Sequence, residues 1–221
     1  ITLDYLSGRR FSFSRFSVVA SYRRGILQLN SVQDLQPVDI SFAWNIPGRA
    51  VSLSLECENL FPLQWITLDD SVSLPRELEN ATLSGTARFS SGGNEPMAYA
   101  VDMSAELPPS ILGGGTAVIK ADGDDSIVYS HALGLHGPDC DFNFNGLYNF
   151  RENIPEGLLA VERFALPGGP GVSGNLYVQR TGKGFEGIIP ELSVHDARYS
   201  SVSLLFNPRD DNVMEFSLDA L

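Results

Sequence analysis

The residues best equipped for chemistry are three histidines, two cysteines and a few neighbouring carboxylates. His131 and His136 stand five apart, with Asp139 and Cys140 just beyond. A metal needs ligands that converge on one point. In an extended segment an odd spacing sends the two imidazoles to opposite sides, so no metal centre is expected there. Asp122-Gly123-Asp124-Asp125 has the oxygen density of a calcium loop but lacks the later bidentate Glu and its spacing. It reads as a solvated turn, as does Arg209-Asp210-Asp211-Asn212. There is no Gly-x-Ser-x-Gly elbow, and Gly113-Gly114-Gly115-Thr116 is not followed by the Lys-Ser/Thr of a phosphate loop. The pairs Glu77/Glu79 and Glu152/Glu156 fall in expected loops, where nothing sets them across a cleft as glycoside hydrolysis requires. Cys57, Trp65 and Cys140 do not reproduce immunoglobulin spacing. These residues point to no enzyme, no metal and no cofactor.

The positions that should organise the chain are apolar and alternate with period two, the signature of strands with one dry and one wet side. Val38, Ile40, Phe42 and Trp44 alternate with Asp39, Ser41 and Ala43, and Val51, Leu53, Leu55 and Cys57 with Ser52, Ser54 and Glu56. Met97 to Leu107 alternates strictly, Cys140, Phe142 and Phe144 alternate with Asp141, Asn143 and Asn145, and Leu176 and Val178 face away from Tyr177 and Gln179. Val202, Leu204 and Phe206 close the series before Met214, Phe216 and Leu218. Turn signals separate the runs: Pro47-Gly48, Ser91 to Asn94, Gly113 to Gly115, Asp122-Gly123, Gly168 to Gly171 and Gly182 to Gly184. The cadence gives about fourteen strands in an antiparallel meander. Residues 60–80 break it, as an irregular loop or a short helical turn that begins at Pro75.

Of the 221 residues, 15 are basic and 27 acidic, a net charge of −12 that disfavours nucleic acid and flat docking on an anionic membrane. No apolar run is long enough for a transmembrane helix. The chain opens on Ile1 rather than Met, so it is read as a single strand-built segment, 1–221, excised from a larger protein. Cys57 and Cys140 permit one disulfide but are equally compatible with buried free thiols.

The polar positions are mostly uncharged: Ser12, Ser14, Ser41, Ser52, Ser54, Asn143, Asn145 and Ser203. Single glycines punctuate the strands, in Ala81 to Phe89, Pro155 to Phe164, Gly171 to Val178 and Gly184 to Ile189. This texture resembles the periplasmic repeats of the TamB/AsmA-like family of Gram-negative bacteria, best from Ala81 to the C-terminus. No single residue is diagnostic. The resemblance implies a long antiparallel sheet curled into an open trough, a β-taco with a hydrophobic interior. It implies a parent anchored in the inner membrane through its N-terminus, spanning the periplasm and moving phospholipid between the two membranes. A TamA-like outer-membrane barrel would be a partner, with a role in assembling some outer-membrane proteins. It carries no catalytic residue and no cofactor.

On this expectation the apolar sides form a groove for phospholipid acyl chains. Its lining comprises Phe42 and Trp44, Leu53 and Leu55, then Tyr99, Val101 and Met103. It continues with Phe142 and Phe144, Leu176 and Val178, and Leu204 and Phe206. Each CH₂ moved from water onto such a floor gains about 0.8 kcal/mol, and about fourteen strands at about 4.8 Å spacing would make a groove about 60 Å long. The alternative is a closed β-sandwich or jelly roll that binds glycan or protein at a cell surface, with Tyr22, Phe61, Trp65 and Tyr199 presented outward. An outer-membrane barrel fragment fits less well, because of the Pro-rich turns and the irregular segment.

Overall fold

The structure is a computed structural model that describes residues 2–7, 11–32, 38–62, 66–68, 79–93, 95–152, 154–165, 170–182, 184–208 and 214–219. The chain divides into two compact units, Ile1–Ile111 and Leu112–Leu221. The N-terminal unit holds β1 (Thr2–Ser7), β2 (Phe11–Arg23), β3 (Ile26–Ser31), β4 (Val38–Asn45), β5 (Ala50–Leu60), β6 (Ile66–Leu68), β7 (Thr82–Gly92) and β8 (Glu95–Leu107). The C-terminal unit holds β9 (Gly115–Asp124), β10 (Ile127–His136), β11 (Cys140–Asn149) and β12 (Ile154–Ala165). It continues with β13 (Gly171–Arg180), β14 (Phe185–Val194), β15 (Ala197–Pro208) and β16 (Met214–Asp219).

Each unit is one antiparallel sheet. In the first, β1 to β5 pair in succession, β7 follows β5, β8 follows β7, and β6 pairs with β2. In the second, β9 to β16 pair strictly in chain order. The first strand of a unit does not pair with its last, so neither sheet closes into a barrel. The expected all-β open meander is what forms. Short loops explain the order: antiparallel neighbours need only a tight turn, whereas parallel ones need a long crossover.

The buried apolar side chains among the described residues are Val18, Cys57, Leu60, Ala81, Leu135, Cys140 and Val202. Two sheets clamped face to face would bury most of the large apolar side chains. Here Phe42, Leu55, Tyr99, Val101, Met103, Phe142 and Phe144 are only half-buried. Among the described residues of each unit the apolar side chains pack beside one another on one sheet, with no second sheet over them.

Three sequence expectations are corrected. Asp122-Gly123 is not a turn but lies inside β9, with Gly123 opposite Val128. The chain reverses just after it, where the Asp124 carboxylate accepts the Ser126 and Ile127 amides at 2.7 and 3.0 Å. These two bonds hold the Asp124 pKa below the usual carboxylate range. His131 and His136 do not face opposite ways. A bulge between Ser130 and Leu133 shifts the phase by one residue. His131 therefore meets Asp122, and His136 Nδ1 lies 2.9 Å from Asp141 Oδ1, both on the side of Thr116, Lys120 and Asp122. Finally, the 60–80 stretch contains the short strand β6, and residues 79 and 80 form a 3₁₀ turn. The helical turn expected at Pro75 lies outside the described residues.

Candidate functional site

Residues directly opposite across an antiparallel ladder share a face, so the register builds each surface residue by residue. In the N-terminal unit one row crosses six strands: Ala20, Leu29, Phe42, Leu53, Phe89 and Tyr99. Beside it run Tyr22, Leu27, Trp44 and Val51 on one side and Ile40, Leu55, Ala87 and Val101 on the other. Cys57, Gly85 and Met103 form the next row. All seven lining residues expected here from sequence therefore lie on one face. Trp44 and Leu53 remain 41 % and 39 % exposed.

The opposite face is mostly small and polar, with exposed Val19 opposite Asn30 and exposed Ile26 opposite Asn45. Its rows are Asn30, Ser41, Ser54, Arg88 and Ala100, then Gln28, Ala43, Ser52, Ser90 and Ala98, and then Asp39, Glu56, Thr86 and Asp102. Cross-strand hydrogen bonds knit it, including Ser41 Oγ to Asn30 Oδ1 at 3.0 Å and Ser31 Oγ to Asp39 Oδ1 at 3.0 Å. Three shallow depressions of about 400, 360 and 480 Å³ are lined chiefly by this face, because its serines and alanines are too short to fill the space between strands. The apolar face is paved by larger side chains.

In the C-terminal unit the principal apolar row is Ile119, Leu133, Phe144, Leu159 and Leu176. The next is Ala117, Leu135, Phe142, Val161 and Gly174. Val178, Gly187 and Leu204 continue the same face. The expected lining residues Phe142, Phe144, Leu176, Val178 and Leu204 are thus brought together. For Phe206 the backbone register is with Phe185 and Phe216.

Glycines notch this face, and neighbours fill the notches. A Cβ on Gly146 would collide with the Glu156 carbonyl oxygen and lie 2.9 Å from the Phe144 ring. One on Gly187 would lie 2.8 Å from Leu176 Cδ1, and one on Gly174 3.4 Å from Ile189 Cγ2. Gly85 and Gly157 have φ of 136° and 154° within their strands, where a side chain is strained and the ladder bends.

The second face of this unit is mixed. Asn145, Leu158, Tyr177, Ile188 and Ser203 form a row with three apolar members, and Tyr177 is 46 % exposed. Tyr22, Phe61 and Tyr199, proposed as outward aromatics, are exposed, and Trp65 lies outside the described residues.

Several members of the apolar face escape a sequence reading. Leu27 and Leu29 carry a period-two signal against Gln28 and Asn30 and could have been assigned to it. Phe89, Ile119, Leu133 and Leu159 need the register. Cys57 and Cys140 are free buried thiols, and burial pushes both pKa values up, so neither is an activated nucleophile. No cluster of three or more His, Cys, Asp or Glu suited to a metal occurs among the described residues.

The chain has no match among protein-family models, curated proteins or solved structures.

Proposed function

We propose that the chain is a lipid-conducting segment of a TamB/AsmA-like protein. Its apolar face carries phospholipid acyl chains while the headgroups stay in water. The supporting observation is the row from Ala20 to Tyr99, which crosses six strands without a charged or hydrogen-bonding interruption before its terminal tyrosine. Its large side chains are left half-buried or exposed, and among the described residues of the unit no second layer covers them.

The chemistry suits passage rather than capture. An acyl chain laid on such a face gains about 25 cal/mol for each Å² removed from water. It meets no polar group that would anchor it at one place. The filled glycine notches of the C-terminal unit keep the surface level, so a methylene can move by one position without entering a hole. On this reading the segment belongs to a periplasmic protein of a diderm bacterium, anchored in the inner membrane and meeting an outer-membrane barrel of the TamA type. It would catalyse no reaction.

Lipid mass spectrometry on the 221-residue chain purified from bacteria tests the reading. Phospholipid should co-purify, and Leu53→Arg together with Phe89→Glu should remove it while strand content by circular dichroism is retained. Chain purified free of lipid, and unable to extract labelled phospholipid from vesicles, would contradict it.

A further inference from the structure

One end of the N-terminal unit gathers basic residues. The β2–β3 turn carries Arg24 and the β4–β5 turn carries Arg49, while Arg23 ends β2 opposite Ile26, on the face away from Tyr22; all three are exposed. The turns touch: the Ile46 amide donates to the Gly25 carbonyl at 3.0 Å, and a Cβ on Gly25 would lie 2.8 Å from the Pro47 ring. Arg24 and Arg49 adopt φ of 52° and 51°, so both hairpins are tight and the arginines sit at their tips. Among the described residues no carboxylate is paired with any of the three. Glu95, which opens β8 two strands from Ala50, is an acidic residue at the same end. Towards the other end of these strands Asp39 lies in β4, Glu56 and Glu58 in β5 and Glu106 in β8, with Arg15 in β2.

The apolar row nearest the arginines is Tyr22, Leu27, Trp44 and Val51. Tyr22 is 67 % and Trp44 41 % exposed. Exposed Tyr and Trp beside cations are the pairing that suits the boundary between acyl chains and headgroups. Guanidinium groups bind phosphate through paired hydrogen bonds. At a rise of about 3.3 Å per residue, Tyr22 and Trp44 lie within about 7 Å of the turns, the scale of a glycerol backbone. The negative charge of the whole chain does not cancel this, because screening confines each field to about 8–10 Å.

Resting on the lipid reading above, we propose that this end is a headgroup site. Arg24 and Arg49, in the turns, hold the phosphate of an anionic phospholipid whose acyl chains lie on the Tyr22–Trp44 row. The site then selects phospholipid over neutral lipid with the same tails.

The test compares two probes on the intact chain: fluorescent phosphatidylglycerol, and diacylglycerol with identical labelled tails, each titrated from detergent micelles. Wild type should bind the phospholipid about tenfold or more tighter. Arg24→Gln/Arg49→Gln should abolish the preference and leave diacylglycerol binding unchanged, and the triple variant with Arg23→Gln should behave as the double one does. Arg88→Gln, on the polar face, should keep it. Equal binding of both probes by wild type overturns the headgroup site but leaves the apolar groove standing. Retained preference in the double variant, or equal loss in Arg88→Gln, also overturns it. Binding of neither probe overturns the site and the groove together.

Discussion

The two units solve the same problem, a level apolar sheet face, in different ways. The N-terminal unit separates its faces row by row across β4, β5, β7 and β8. Phe42, Leu53 and Tyr99 lie on one side, and Ser41, Ser54 and Arg88 on the other. The C-terminal unit interrupts its ladders at Ser130/Leu133, Asp141/Phe142, Val161/Phe164 and Gly174/Tyr177, mostly within its apolar rows, whereas the shifts of the N-terminal unit, at Cys57/Leu60 and Ser90/Gly92, fall near strand ends. It also places four glycines on the apolar face, Gly146, Gly157, Gly174 and Gly187, where the rows of the N-terminal unit include Gly85, and its other face carries the row Leu158, Tyr177 and Ile188. Its acidic excess is larger, with 7 basic and 15 acidic residues against 8 and 12 in the N-terminal unit. Regular alternation paves a face directly. Where bulges shift the phase, paving depends on individual neighbours, such as Phe144 over Gly146. The same surface is therefore more tolerant of substitution in the first unit than in the second.

The harshest way to break that contrast is at the strand-bending glycines. A Cβ on Gly85 would collide with the Asp102 carbonyl oxygen and approach Met103 Cα to 2.6 Å; one on Gly157 would come to 2.7 Å from Gly146 Cα. Gly85→Val and Gly157→Val should each destabilise by about 3 kcal/mol in urea unfolding. Gly182→Ala, with open space around it, should stay within about 0.5 kcal/mol of wild type.

Charge on the apolar face gives the next largest effect and sharpens the difference between units. Val101→Arg should cost about 1 kcal/mol, because a half-buried side chain can still reach water. Phe144→Glu should cost about 2 kcal/mol, because it also uncovers Gly146. Both variants should keep their sheet content and lose lipid extraction. Costs nearer 4 kcal/mol in both, with loss of fold, would mark a sealed core.

A smaller effect concerns pH. Cys57 and Cys140 have folded-state pKa values raised by burial, so the folded chain favours the protonated thiols. Their contribution is complete below the unfolded thiol pKa of about 8.5. It is lost as pH rises toward the folded values. Alkaline destabilisation above about pH 8.5 should weaken in Cys57→Ala/Cys140→Ala, followed by thermal unfolding across pH; an unchanged alkaline slope would exclude the thiols as its source.

Much of the fold was legible because period two is a direct imprint of the pleat. The runs Val38 to Trp44, Val51 to Cys57 and Met97 to Leu107 fall within β4, β5 and β8, and their apolar members share a face. What remained hidden depends on phase. Leu158-Leu159-Ala160-Val161 shows no alternation, and only the ladder assigns Leu159 and Val161 to one face and Leu158 to the other. The bulge at His131 reverses the face that counting from His136 gives. Gly123 looked like a turn because Asp-Gly usually is one, yet the capping carboxylate belongs to Asp124. The basic end of the N-terminal unit was invisible because Arg24 and Arg49 are 25 positions apart and come to one end only when their hairpins stack.

A photo-crosslinking amino acid placed in turn at neighbouring positions on opposite faces tests the central claim most directly. Leu53 and Ser52 form one such pair, Leu176 and Asn175 another. Irradiation in bacteria should give phospholipid adducts at Leu53 and Leu176 and none at Ser52 or Asn175. Adducts of equal yield on both faces, or only protein adducts at Leu53 and Leu176, would contradict a lipid path along the apolar side.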